Sequence, residues 1–243
     1  MELILQKYIK PESAQCNGNS LLTLSSLLDY LQTIAGEHAN RLHFGITDLN
    51  RQNDTWVLSR LRVEIKRWPK KGEEIVLKTW PKGVDRLFGV RDFLLSDLSE
   101  NILVRAASYW LVIDRQSKRP KMIANEFRDL NYPELSAIDN KLGKIPALQH
   151  TEYSSEIKVS ENEIDINGHV NNVWYADWIM KTLPVSISKN KKLTSFEINY
   201  LSEVFVNEII KIEMGPSDNS KDTILGLLKK DEKEVCRVIF SFE

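Results

Sequence analysis

Residues 165–172 read DINGHVNN, and residues 15–22 read QCNGNSLL. Both carry Asn-Gly, both open onto a segment with helical spacing, and both are followed by a series of strand-like runs. Self-similarity of this kind is the mark of an internally repeated architecture. In the first copy Leu24, Leu27, Leu28, Leu31, Ile34 and Ala35 recur at three- and four-residue steps, which predicts an amphipathic helix within residues 20–43, capped by Asn19 or Ser20. TWVLSRLRVEIKRW (55–68) alternates, with Val57, Ser59, Leu61, Val63 and Ile65 expected on one side. A turn follows at Pro69–Gly72, and EEIVLKTWP, LFGVRDFLLSD and ENILVRAASYWLVID then read as antiparallel strands. The opening stretch MELILQKYIKPE reads as a further strand.

The second copy repeats the pattern. SSEIKVS is a strand, VNNVWYADWIMKTL a helix ending before Pro184, and SFEINYLSE, NEIIKIEMG, DTILGLLKK and EVCRVIFSFE are strands. Between the copies, residues 115–150 hold RQSKRPK, Pro133 and Pro146 and read as loop-rich, with room for short helical turns. The expected organisation is an N-terminal domain over residues 1–130, a linker over 131–149 and a C-terminal domain over 150–243.

Composition narrows the function classes. The chain has 243 residues, and its 42% hydrophobic content supports a sizeable core. A net charge of -1 argues against nucleic acid as the default partner. Cys16 and Cys236 lie far apart and make no metal-type spacing, which points to a reducing compartment, with a single disulfide still open. No run of about 18 apolar residues suggests a membrane span, and the first residues lack a signal-peptide pattern, so the expected location is cytoplasmic.

The chemistry sits in DINGHVNN. Alternation places Asp165, Asn167 and His169 on one face if the segment is extended. Aligning the copies on Asn-Gly sets Asp165 against Gln15, Asn167 against Asn17 and His169 against Asn19. Downstream, Glu64-Ile65 aligns with Glu197-Ile198, which sets Glu203 against Lys70. The ionisable set therefore occurs in the C-terminal copy alone. If Asp165 and His169 served only to shape a turn, the first copy shows that uncharged residues would do. Asn-Gly by itself remains a common turn signal. A divalent-ion site is the other alternative, but the remaining ligands of a Ca²⁺ loop are missing at the right offsets.

With these residues in view, the sequence resembles the acyl-acyl carrier protein (acyl-ACP) thioesterases of the plant plastid and bacterial type, over nearly the whole chain. LLDYLQTIAGEHA and WVLSRLRVEIKRWPKKGEEIVLKTW are similar to that family's first helix and following strands. RDFLLSD and RAASYWLVIDRQSKRP are similar to its later strands, DINGHVNNVWYADWI to its Asp-x-Asn-x-His-Val-Asn-Asn motif, and INYLSEV to the segment carrying its catalytic Glu. The resemblance implies an α+β tandem (double) hotdog fold, each repeat a long helix wrapped by an antiparallel sheet. It implies an N-terminal domain that binds the acyl chain without catalysis and a C-terminal domain that catalyses. It places the catalytic set on Asp165, Asn167, His169 and Glu203, with no cofactor and no metal. Plant members often have Cys after that Glu; here it is Val204, so a cysteine nucleophile is excluded at that place.

The implied reaction is hydrolysis of the acyl-ACP thioester, releasing free fatty acid and ending fatty acid synthesis. Glu203 or His169 would deprotonate water, Asp165 would orient the imidazole or share the base role, Asn167 would position water or the carbonyl, and backbone N–H groups near Gly168–Asn171 would hold the oxyanion. The implied partner is the acidic acyl carrier protein with its phosphopantetheine arm, for which Arg115, Lys118, Arg119 and Lys121, or Lys66, Arg67, Lys70 and Lys71, are docking candidates. Either a monomer or a homodimer fits an internally duplicated chain. The alternatives are an acyl-CoA thioesterase on the same scaffold and a non-catalytic acyl- or lipid-binding module. Outside the motif, His38 and His43 read as surface or cap groups and His150 as solvated. Trp174 and Trp178 read as core residues that could also line an acyl tunnel, and the remaining tryptophans as packing residues in strands.

Overall fold

The computed structural model describes residues 2–184, 187, 191–217 and 220–243; Met1 of the opening stretch lies outside the described residues. The chain forms two compact units, Met1–Leu142 and Gly143–Glu243.

In the first unit, β1 (Leu5–Ile9) leads to the long helix α1 (Leu24–Arg41) and the short α2 (Ile46–Asn50). Four long strands follow: β2 (Asp54–Ile65), β3 (Ile75–Asp85), β4 (Phe88–Asp97) and β5 (Ile102–Asp114). They form an antiparallel sheet in the order β1-β3-β4-β5-β2. The helix buries the face its spacing predicts: Leu24, Leu27, Leu28, Leu31, Ile34 and Ala35 are all under the sheet-facing side. Its cap differs from the expectation. Thr23, not Asn19 or Ser20, accepts the Ser26 N–H with its hydroxyl, because Ser20 is spent in a preceding turn at φ 59°.

β2 also departs from simple alternation. Pairing with β5 slips between Leu58 and Arg60, so a bulge resets the phase. Leu58, Leu61, Val63 and Ile65 are therefore buried, while Val57 and Ser59 are only half-buried. After β5, β6 (Pro120–Lys121) and the one-turn helix α3 (Asn125–Arg128) bring Ile123 and Phe127 over Val112, Phe44 and Trp56 in a satellite core. Residues 135–142 are tied back to this unit. Lys82 donates to Ser136 Oγ (2.5 Å) and the Ile138 carbonyl (2.7 Å), Asp92 accepts the Ala137 N–H (2.7 Å), and Ile138 and Leu142 pack on Val90, Ala107 and Tyr109.

His38 is not a surface group. It is 1% exposed, and its Nδ1 meets the buried Arg91 guanidinium at 3.0 Å while Nε2 contacts the Glu2 carbonyl at 3.1 Å. His38 lies seven residues past Leu31 and four past Ile34, so regular helical spacing places it on the buried face of α1. His43 and His150 are exposed.

The second unit repeats the plan. β7 (Tyr153–Lys158) leads through a 3₁₀ turn at Glu161–Glu163 to α4 (Asn172–Thr182). Then come β8 (Leu193–Tyr200), β9 (Ile209–Ser217), β10 (Ser220–Lys230) and β11 (Lys233–Phe242). Its antiparallel order is β8-β11-β10-β9-β7. α4 starts at Asn171, whose side chain accepts the Val173 N–H, and buries Tyr175, Ala176, Trp178 and Ile179, with Trp174 half-buried. Phe196, Phe240, Ile210, Ile212 and Met214 fill the interior. Among the described residues no helix is long and apolar enough to cross a membrane.

Candidate active site

The two copies share a set of backbone hydrogen bonds, in a register two residues away from the one that Asn-Gly suggests (Asn17 rather than Gln15 opposite Asp165). In the first copy Asn17 N–H donates to the Leu21 carbonyl (2.8 Å), Ser20 N–H to Asn17 (2.9 Å) and Leu22 N–H to Pro69 (2.9 Å). In the second, Asp165 donates to His169 (2.8 Å), Gly168 to Asp165 (3.0 Å) and Val170 to Val204 (2.9 Å). Farther along, Lys66 and Arg67 both donate to Leu103, as Leu201 and Ser202 both donate to Val235. The twin of Asp165 is thus Asn17; of Asn167, Asn19; of His169, Leu21; and of Glu203, Trp68. Asn-Gly misleads because it falls at different places in the same turn. The position that needs positive φ is Ser20 in one copy (59°) and Gly168 in the other (85°). The corrected register sharpens the asymmetry, since an aliphatic and an indole now stand where the imidazole and the carboxylate are.

The turn also replaces the extended segment expected of residues 165–169. Asp165 Oδ1 accepts the Asn167 N–H at 2.7 Å, an Asx turn that curls the chain until Asp165 and His169 pair across it. The Val170–Val204 backbone bond then brings in the loop bearing Glu203. His169 lies between two carboxylates, Nδ1 at 3.6 Å from Asp165 and Nε2 at 3.4 Å from Glu203. Both separations are within ion-pair range but beyond a formed hydrogen bond. The Phe205 ring meets the imidazole edge-on at 6.2 Å between centroids. Asn167 is exposed and turns its amide back to Asp165 Oδ2 (3.2 Å), so it holds that carboxylate. A cavity of about 500 Å³ opens beside Glu203, lined also by Phe205, Lys230, Lys233 and Val235.

Of the backbone donors expected at Gly168–Asn171, three are consumed: Gly168 by Asp165, Val170 by Val204 and Asn171 by Glu163. The His169 N–H has no hydrogen-bond partner among the described residues, whereas its twin, the Leu21 N–H, donates to Asn17 Oδ1 (3.1 Å).

One residue of this assembly escaped sequence reasoning. Glu163 Oε2 accepts the Ser160 N–H (2.8 Å), Oε1 accepts the Trp178 indole N–H (2.8 Å), and its carbonyl accepts the Asn171 N–H (2.9 Å). It fastens the start of α4 to the residues leading into Asp165. Gln15 does the same in the first copy, taking Glu12 N–H (2.9 Å) and Tyr30 OH (2.6 Å), and that recurrence was the signal available. Tyr175, on the buried face of α4, meets the Tyr200 ring edge-on at 5.4 Å, and Tyr200 donates to the Asn172 carbonyl (3.0 Å). Burial pushes both phenols, and the Cys236 thiol, up from their ordinary values, so they stay protonated and inert. Val204 is fully buried. No group of His, Cys, Asp and Glu suited to a metal ion occurs among the described residues.

Residues 6–131 match the acyl-ACP thioesterase N-terminal domain, and residues 147–243 match the acyl-ACP thioesterase C-terminal domain. The chain belongs to the acyl-ACP thioesterase family. A crystal structure of an acyl-ACP thioesterase from Bacteroides thetaiotaomicron has a TM-score of 0.88 and 28% identity, covering 99% of this chain and 98% of that one. The 12:0-ACP thioesterase from Umbellularia californica has a TM-score of 0.87 at 22% identity, covering 100% and 98%. The tandem hotdog fold of the acyl-ACP thioesterases is therefore the fold of this chain. Among curated relatives, the chloroplastic oleoyl-ACP thioesterase of Coriandrum sativum is 24% identical over 86% of this chain and 62% of its own length. Oleoyl-ACP thioesterase 1 of Arabidopsis thaliana is 25% identical over 82% and 60%. The chain thus spans about 60% of the length of these plant relatives.

Proposed function

We propose that this chain hydrolyses the thioester of acyl-ACP to release free fatty acid, with Asp165, His169 and Glu203 as the proton-handling group and Asn167 holding Asp165. The observation that carries the reading is the imidazole set between two carboxylates in one copy, at 3.6 and 3.4 Å, where the other copy has Asn17, Leu21 and Trp68. Glu203 faces the cavity and takes a proton from water as that water adds to the thioester carbonyl. His169, 3.4 Å from Glu203, relays the proton that Glu203 took from water to the departing thiolate, whose modest basicity makes acid help the lesser need. The free His169 N–H is the natural donor to the oxyanion, a role worth about 10²–10³-fold where single donors have been removed elsewhere.

The N-terminal copy, with no such set, binds the acyl chain and moves no protons. For carrier docking, Lys66, Lys70 and Lys71 are exposed and make no ion pair among the described residues. Arg67 is committed to Glu73 (2.5 Å), Lys121 to Asp54 (2.7 Å), and Arg115 donates to Asn50 (3.0 Å).

The test is release of free fatty acid from acyl-ACP of several chain lengths by purified protein, beside the matching acyl-CoA. Turnover on the carrier thioester, lost by about 10²-fold or more in Glu203→Gln, is expected. Equal or better turnover on CoA would replace the carrier as substrate, and a near-native Glu203→Gln would remove Glu203 from the chemistry.

A further inference from the structure

Around the candidate site, large apolar side chains stand in water. Ile166, at the tip of the turn between Asp165 and Asn167, is 98% exposed; Leu201, Phe205 and Val206, on the loop carrying Glu203, are 50%, 43% and 38% exposed. A folded chain exposes isolated apolar residues routinely, so exposure alone carries nothing. The duplicated architecture supplies the control. In the register set by the backbone hydrogen bonds, the twins of Ile166, Leu201, Phe205 and Val206 are Gly18, Lys66, Lys70 and Lys71. The same backbone is built in the first copy with a glycine and three lysines, so the fold does not require apolar groups at these places. They occur only in the copy that has the ionisable set.

The two loops adjoin, joined by the Val170–Val204 backbone bond and by the contact of Phe205 with His169. Phe205 also lines the cavity of about 500 Å³ beside Glu203, together with Lys230 and Lys233. Lys230 is engaged by Glu208; Lys233 makes no ion pair among the described residues. An apolar rim, continuous through Phe205 with the cavity that Glu203 lines, meets whatever body carries the thioester inward. A small thiol ester can reach Glu203 and His169 without covering Ile166 or Val206. A thioester borne at the end of a short arm on a protein brings that protein's surface against them.

We propose that Ile166, Leu201 and Val206, with Phe205 at the cavity margin, form the seat for the carrier protein itself, and that this seat makes the site prefer a protein-borne thioester over the same acyl group on a small thiol. The inference rests on the proposed acyl-ACP hydrolysis and adds to it a place of contact whose main force is apolar burial. The seat acts on capture of the carrier, not on the bond-breaking step. Its contribution therefore falls on kcat/KM for the protein-borne substrate, and it persists when salt screens charge pairs.

The test is the triple variant Ile166→Ser, Leu201→Lys, Val206→Lys, which places the first copy's lysines at two of the positions and leaves Phe205 against His169. Initial rates are measured on an acyl-ACP and on the same acyl group as its N-acetylcysteamine thioester, at low and high salt. We expect kcat/KM on the carrier thioester to fall by about tenfold or more at both salt concentrations, with the small thioester unchanged within about twofold; the latter also shows that the variant is folded. Equal losses on both substrates would overturn the proposal by placing the rim in the chemical site. Undiminished turnover on the carrier would overturn it outright, as would a wild-type dimer that the variant converts to monomer, since the rim would then seat a second copy. Wild-type protein that cleaves the small thioester but not acyl-ACP would instead overturn the carrier reading on which the seat depends.

Discussion

Removing the Glu163 side chain should weaken the fold and the candidate site together, because one carboxylate ties the residues leading into Asp165 to α4. In Glu163→Ala the Trp178 indole N–H loses its acceptor (2.8 Å). Trp178 is 3% exposed, so water does not replace that acceptor, and an orphaned buried donor costs about 1–3 kcal/mol. The Ser160 N–H also loses its partner (2.8 Å), but it is exposed and is rehydrated, at a cost of about 0.5–1 kcal/mol. The expected total is about 1.5–4 kcal/mol of apparent stability. The turn then loses its anchor to α4, and a displacement of Asp165 by about 1 Å is enough to cost on the order of 10² in turnover. Glu163→Gln is milder, about 1 kcal/mol, because Gln15 shows that one amide oxygen can take both a backbone N–H and an aromatic donor. The assay pairs urea unfolding followed by tryptophan fluorescence with kcat/KM on acyl-ACP, and Gln15→Ala serves as the control. The control should lose stability and keep its turnover per folded molecule. Glu163→Ala within about 0.5 kcal/mol of wild type at full turnover would refute the reasoning.

Gly168 sits at φ 85° with open space around its Cα, so only the backbone conformation restricts it. Gly168→Asn, a residue that tolerates this region, is expected to keep most activity, while Gly168→Val loses about 1–3 kcal/mol of stability and most turnover; thermal melts and rates check both. Burial first, and then the charge of Arg91, hold His38 below its ordinary value, against the opposing pull of the Glu2 carbonyl. The unfolded chain therefore binds more protons just below about pH 6.5, so stability falls as pH drops from 7 toward 5. Urea midpoints of wild type and His38→Gln across that range should show a flatter acid limb in the variant.

The fold was legible because its signals are local and doubled. The six apolar positions of α1, the strand runs and the restart after residue 150 all follow from periodicity, which reports what faces the core. What was not legible depends on geometry that a linear pattern does not encode. The bulge near Ser59 shifted which face of β2 is buried; His38 follows the apolar spacing of α1, and what the sequence did not show is its distant partner, Arg91. The register between copies failed because a shared dipeptide is a weaker guide than the place where the backbone needs positive φ, filled by Ser20 in one copy and Gly168 in the other. At the site, the contrast between the copies pointed to Asp165 and His169, and the family resemblance added Asn167 and Glu203. Asn167 was legible as polar but not as the brace of Asp165. Glu163 was missed because a carboxylate accepting an indole N–H leaves no periodic trace, and its one signal, the matching place of Gln15, needed the corrected register.

The asymmetry between the copies is tested most directly by two reciprocal single substitutions at structurally equivalent positions, assayed for fatty acid release from acyl-ACP under saturating substrate. Asp165→Asn gives the C-terminal turn the residue its twin has, and turnover should fall by about 10²-fold or more; Asn17→Asp makes the opposite change and should leave turnover within about twofold of wild type. Near-native turnover in Asp165→Asn, or an equal loss in Asn17→Asp, would contradict the account.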